Sequence, residues 1–157
     1  MTASKPPRPP KAEPRSAYRE FYQMQTRWSD MDIYGHVNNV VYMQYCDAAL
    51  NRSLIAAGAL DLLGSTPIGI VARNSTNYFA EISYPDNVAV GVRVEHIGNT
   101  SLLWGFGIFK DGEELAAAKS EYVHVYVNRD TRRPVALTPE LRQLAERLYV
   151  PASAEEI

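Results

Sequence analysis

A short polar stretch carries the residue types most able to do chemistry: Asp30-Met31-Asp32-Ile33-Tyr34-Gly35-His36, followed by Val37-Asn38-Asn39. An apolar run from Val40 to Ala57 comes next, too long for a strand and closed by Gly58, a natural helix terminator. Asn38 or Asn39 suits the helix N-cap. This order puts a carboxylate near a helix N-terminus, with its unpaired N–H groups and positive dipole end. Those donors can stabilise an oxyanion developing on a carbonyl. The nearby carboxylate can act as a nucleophile or as a base toward water. Gly35 lets the loop turn sharply beside a ligand.

The elements around this stretch position it. Phe21 to Trp28 alternates with aromatic and β-branched content, which predicts a strand leading into the loop. The run after it is apolar almost all round (Val40, Val41, Tyr42, Met43, Tyr45, Cys46, Ala48, Ala49, Leu50, Leu54, Ile55), so a helix there is expected to be wrapped by the rest of the protein. Four strand-like segments follow: Ile68 to Ile82, Val88 to Val94, Leu102 to Ile108 and Leu115 to Val127. Gly98-Asn99 and Asp111-Gly112 mark turns between them, which implies an antiparallel sheet. Gly105, Gly107, Ala116 and Ala118 form a low-relief patch where the helix is expected to approach closely. Thr138-Pro139-Glu140 opens a last helix with an apolar stripe at Leu141, Leu144, Ala145 and Leu148. The fold class is therefore α+β.

Composition bounds the rest. The chain has 157 residues with 46% apolar and 22% charged residues, the profile of one globular domain. A single cysteine and no Cys/His cluster argue against a disulfide scaffold or a structural metal, so no metal ligands are assigned. No apolar run reaches a membrane span and no secretory leader is evident, so a cytoplasmic protein without a membrane partner is expected. The net charge of −2 argues against nucleic acid as a partner. That charge is unevenly spread. Residues 1–20 hold five of the ten prolines and carry five basic against two acidic side chains, leaving the remainder at −5. The stretch reads as a disordered, solvated tail. Residues 21–150 then form the folded domain and 151–157 a flexible C-terminus.

The segment from Asp30 to Tyr42 resembles the signature of hotdog-fold acyl-CoA thioesterases, the 4-hydroxybenzoyl-CoA thioesterase group, in the pattern D-x-D-x-x-G-H-V-N-N placed between a strand and a long helix. The resemblance extends from about Tyr22 to Leu137 in the same order of elements. It implies an antiparallel sheet of about five strands wrapped around the central helix. It also implies homodimers with a continuous sheet, or homotetramers, with active sites at the subunit interface.

Carried over by position, Asp32 is the catalytic carboxylate and the backbone N–H of Asn39 polarises the thioester carbonyl, with Gly35 shaping the loop. The implied reaction is hydrolysis of an acyl-CoA to free acid and coenzyme A. Asp32 attacks to give a mixed anhydride or activates a water, and a thiolate leaves. No cofactor is implied, because coenzyme A belongs to the substrate; acyl carrier protein is an alternative carrier of the thiol.

Other residues divide between functional and structural readings. Asp30 reads as a turn acceptor and Asn38 as a cap that also borders the substrate. His36 either orients Asp32 or donates to the backbone. Asp47, a carboxylate on an apolar helix, is the runner-up catalytic group, since another hotdog branch keeps its carboxylate on the central helix. Cys46 reads as core. Tyr42 and the strand-opening Thr100 and Ser101 are candidate substrate contacts. Arg129, Arg132 and Arg133 suit coenzyme A phosphates, and of these Arg132 and Arg133 are carried forward. Tyr122, His124 and Tyr126 share one face of the last strand, either bordering the acyl pocket or facing solvent or a subunit contact, and the latter reading is preferred. Two alternatives stand beside hydrolysis: a non-catalytic acyl-CoA-binding module, and a hotdog hydratase or dehydratase built on an aspartate–histidine pair.

Overall fold

The computed structural model describes residues 10–64 and 66–151. Strand β1 (Glu20–Gln25) leads through a 3-10 turn at Trp28–Asp30 into helix α1 (Asn39–Ala56). Strands β2 (Ile68–Tyr78), β3 (Asn87–Ile97), β4 (Ser101–Lys110) and β5 (Ala118–Val127) follow, then helix α2 (Pro139–Arg147). All neighbours pair antiparallel in the order β1-β3-β4-β5-β2, so β2 and β1 are the two edges. This is the hotdog arrangement, a five-stranded sheet curled around one long helix.

Alternation on the central strands builds the core. Val88, Val90, Val92 and Val94 of β3 join Leu102, Trp104, Phe106 and Ile108 of β4 against Val41, Tyr45, Cys46, Ala49 and Leu50 of α1. Thr138 caps α2, accepting from the Leu141 N–H, and Leu141, Leu144, Ala145 and Leu148 close one end of that core. Helix α1 is not enclosed on all sides. Val40, Met43 and Ile55 are exposed, beside an edge strand β2 that is exposed along nearly its whole length.

The other sheet face differs most from expectation. Residues 10–20 are not a loose arm. The Ala116 and Arg15 amides donate to the Glu13 and Glu114 carbonyls, and the buried Tyr18 ring stacks edge-on against Phe109. Gly107 and Ala116 of the low-relief patch serve this segment, whereas Ala118 packs in the core with α1. A Cβ on Gly107 would lie 2.6 Å from the Tyr18 ring, and one on Gly91 2.7 Å from it. The tail residues 1–9 and the C-terminal residues 152–157 lie outside the described residues.

Glu13 completes a charge cluster under this strap. Its carboxylate meets Arg93 at 2.6 Å and Lys119 at 3.1 Å, while Arg93 also holds Glu95 at 2.6 Å. Burial alone would raise the Glu13 carboxyl, but the two cations hold it below its ordinary value. Charges this deep persist because each is paired.

Candidate active site

The loop between β1 and α1 separates its two aspartates by environment. Asp30 is buried, and its carboxylate accepts from the Arg27 backbone N–H at 2.8 Å, the Arg27 Nε at 3.0 Å and the Tyr45 hydroxyl at 2.8 Å. Burial pushes its pKa up, and these donors overcome that and hold it below the usual carboxylate range. Its carbonyl also accepts from the Asn38 N–H, tying the loop to the helix start. Asp30 is a structural acceptor, as its sequence position suggests.

Asp32 is presented instead of buried. One carboxylate oxygen accepts from the Tyr34 N–H at 2.8 Å, while its backbone N–H donates to the His36 carbonyl and its carbonyl accepts from the Gly35 N–H. Gly35 sits at φ +80°, the left-handed region where a side chain would strain the turn. The Ser83 hydroxyl donates to the Gly35 carbonyl and holds the turn from outside.

The helix start lies against the same space. The Asn38 side chain accepts from the Val40 N–H and caps α1, while no side chain caps the Asn39 amide among the described residues. Asp32, Asn38 and Asn39 line an open cleft of about 620 Å³ together with Trp28, Met31, Ile33 and Tyr34. First-turn amides and an accessible carboxylate around one cleft are the parts needed to polarise a carbonyl and deliver a nucleophile to it.

The other candidate residues are more dispersed. His36 Nε2 pairs with Glu81 at 2.9 Å rather than engaging the Asp32 carboxylate. Tyr42 is buried in the core against Tyr78 and lines neither this cleft nor the one described next. Thr100 and Ser101 sit where β4 pairs with the far end of β5, remote from Asp32 in one chain. Arg132 and Arg133 lie exposed in the turn beyond that end. Arg129 is engaged by the backbone, donating to the Thr66 and Asp61 carbonyls. Cys46 is fully buried, and burial pushes its thiol up to about 12, which keeps it protonated.

Asp47 belongs to a second cleft, of about 230 Å³, between the later turns of α1, the start of β2 and the end of β5. Its wall includes His124 and Tyr126, a correction to the expected outward-facing reading of Tyr122, His124 and Tyr126. All three are buried on the α1 side of the sheet. The valines of β5 misdirect the alternation, because Val123 and Val125 take the less buried outer face. Burial drives the His124 imidazole down to about 4, only partly offset by the Asp47 carboxylate. The signal available in sequence was the aromatic set itself, since large rings opposite valines fill a core more often than they face water.

Comparison with known proteins agrees with the fold. Residues 26–144 match the family model of the thioesterase-like superfamily. No curated protein matches the chain. Among solved structures, the PA5185 protein of Pseudomonas aeruginosa is 41% identical, covers 92% of this chain and 99% of its own, and superposes with a TM-score of 0.86. A Thermus thermophilus thioesterase, solved with coenzyme A and zinc, is 28% identical over 84% of this chain and 95% of its own, with a TM-score of 0.68. A 1,4-dihydroxy-2-naphthoyl-CoA thioesterase from Synechocystis shares the fold at 18% identity, with a TM-score of 0.71 over 80% of this chain and 93% of its own. The chain belongs to the thioesterase-like superfamily, and thioester hydrolysis is the chemistry of that class.

Proposed function

We propose that the chain is an acyl-CoA thioesterase in which Asp32 and the first turn of α1 cleave the thioester. The observation that carries this reading is the shared cleft of Asp32 and Asn39. A thioester carbonyl oxygen directed at the Asn39 N–H gains the helix dipole as negative charge develops on it. Asp32 then attacks the carbonyl carbon or takes a proton from an attacking water. The thiolate of coenzyme A leaves without a strong general acid, because thiols are far more acidic than alcohols. No cofactor is assigned beyond the coenzyme that the substrate carries.

The working unit in this reading is a dimer joined through the two β2 edges. Nine of the eleven residues of β2 are exposed, and this edge strand pairs only with β5 among the described strands, next to the exposed Val40 and Met43 of α1. Antiparallel pairing of β2 with its symmetry mate sets the Ile68 end of one chain beside the Tyr78 end of the other. The Tyr78 hydroxyl donates to the Asn39 carbonyl, so the second cleft of one chain comes beside the helix start of its partner. Thr100, Ser101, Arg132 and Arg133 lie at that same Ile68 end, where they can meet the pantetheine arm and phosphates of a substrate cleaved by the partner's carboxylate.

Release of free thiol from a panel of acyl-CoAs tests the reading. Turnover of at least one member supports it. Tight binding of acyl-CoA with no thiol released would favour the sensor, and addition of water across an enoyl-CoA would favour the hydratase. The engagement of His36 by Glu81 weighs against that last reaction, which needs the histidine beside the aspartate.

A further inference from the structure

The second cleft has largely apolar walls and, besides Asp47 and Asn51 at its lining, a buried imidazole that the reaction at Asp32 leaves unused. Leu54, Ala59 and Ile68 form its sides, and His124 stands at its back with 5% of its surface exposed. Neither ring nitrogen of His124 has a hydrogen-bond partner among the described residues. Its neighbours on β5 offer ring faces, with the Tyr122 and Tyr126 centroids 6.1 and 6.2 Å away. Buried imidazoles are ordinarily paired, and an orphaned one inside a cleft marks a place for a ligand atom.

The approach to that imidazole is kept open by the partner strand. Gly69 is exposed on β2, opposite Tyr126. A Cβ there would come 2.9 Å from His124 Nδ1 and 3.2 Å from the Tyr126 ring. Any side chain at position 69 would therefore press on the ring from the cleft side. Burial leaves the ring uncharged at neutral pH, with one N–H to donate and one lone pair to accept. Such a group suits a neutral oxygen better than a carboxylate.

We infer that this cleft holds the acyl end of the substrate and selects acyl groups bearing a hydroxyl or keto oxygen, bound by His124, over plain alkyl groups of the same length. The inference rests on the thioesterase reading and names its substrate class. A plain chain fills the apolar walls but leaves both ring nitrogens dry and unpaired. An oxygenated chain fills the same walls and satisfies one of them. Sites built around a buried polar partner reject analogues that lack the matching group, here by at least about tenfold. Asp47 and Asn51 sit at the same cleft, so the preference is assigned to His124 by substitution rather than by position alone.

The experiment compares kcat/KM for four- to eight-carbon acyl-CoAs with their 3-hydroxy and terminal-hydroxy counterparts, using the full-length protein. The wild type is expected to prefer a hydroxylated member of its best matched set by about tenfold or more. His124→Phe should bring that ratio to about one by slowing the hydroxylated substrate much more than the plain one. Gly69→Ala, which keeps the imidazole but crowds Nδ1, should lower the ratio in the same direction and serves if His124→Phe does not fold. A wild type that prefers plain chains throughout, or a ratio unchanged in both variants, overturns the inference. If no thioester is cleaved at all, calorimetry with S-alkyl and S-hydroxyalkyl coenzyme A thioethers separates the two claims. A hydroxyl preference lost in His124→Phe keeps the cleft assignment while the hydrolysis reading falls, and equal affinities overturn the cleft assignment too.

Discussion

Asp30 and Asp32 stand two residues apart in opposite environments, one buried and paired, the other open to a cleft. Asp30 takes hydrogen bonds from Arg27 and from the buried Tyr45 hydroxyl, so Asp30→Ala should cost about 3 kcal/mol by leaving buried donors unpaired. Urea unfolding measures that loss directly. His124 gives a second residue-scale expectation with a definite sign. Its pKa falls from the ordinary 6.5 to about 4 on folding, so below pH 6.5 the unfolded chain binds the extra proton and the fold weakens as pH falls toward 4. The loss attributable to His124 at pH 5 is about 2 kcal/mol relative to pH 7. Melting curves should therefore fall more steeply between pH 7 and pH 5 for the wild type than for His124→Phe, and equal slopes would rule out the buried neutral imidazole. The turn and the cap around Asp32 were legible in the sequence because both are local. The surroundings of His124 were not, because Gly69 and Asp47 meet it from far away along the chain.

At the scale of elements, strict alternation on β3 and the length of the apolar run marked strand and helix correctly, with Asn38 as the cap. Alternation on β5 misled for a physical reason: both faces of that strand are covered, one by α1 and one by the charge cluster, so valine no longer marks the inner face. Residues 10–20 were illegible for a related cause. A proline-rich basic stretch has little to bury by itself, yet Tyr18 finds a slot over Gly91 and Gly107 that exists only once β3 and β4 have paired. Tyr18→Ala should accordingly cost about 3 kcal/mol through the cavity it leaves. For a chain of this length that corresponds to a fall of roughly 10 °C in Tm by calorimetry. An unchanged Tm would mean that the segment does not hold the sheet in solution.

For the whole molecule, the proposed reaction requires assembly, since one chain separates Asp32 from the arginines at the opposite end of the sheet that would meet the phosphates of a coenzyme A substrate. Ile70→Lys, at an exposed position of β2 outside the second cleft, should disrupt the proposed edge pairing. Light scattering should then report a monomer, and thioester turnover should fall with the loss of the dimer. Retained dimer mass together with full activity would remove β2 as the interface. The central claim, that Asp32 cleaves the thioester, is tested most directly by thiol release from the best acyl-CoA substrate in wild type, Asp32→Asn and Asp47→Ala. Removing a positioned acid–base or nucleophilic group typically lowers kcat by about 100-fold or more, so Asp32→Asn should lose at least that much with its Tm unchanged, while Asp47→Ala keeps turnover within about tenfold of wild type. Hydrolysis retained in Asp32→Asn and lost in Asp47→Ala would contradict the account and move the reaction onto the helix.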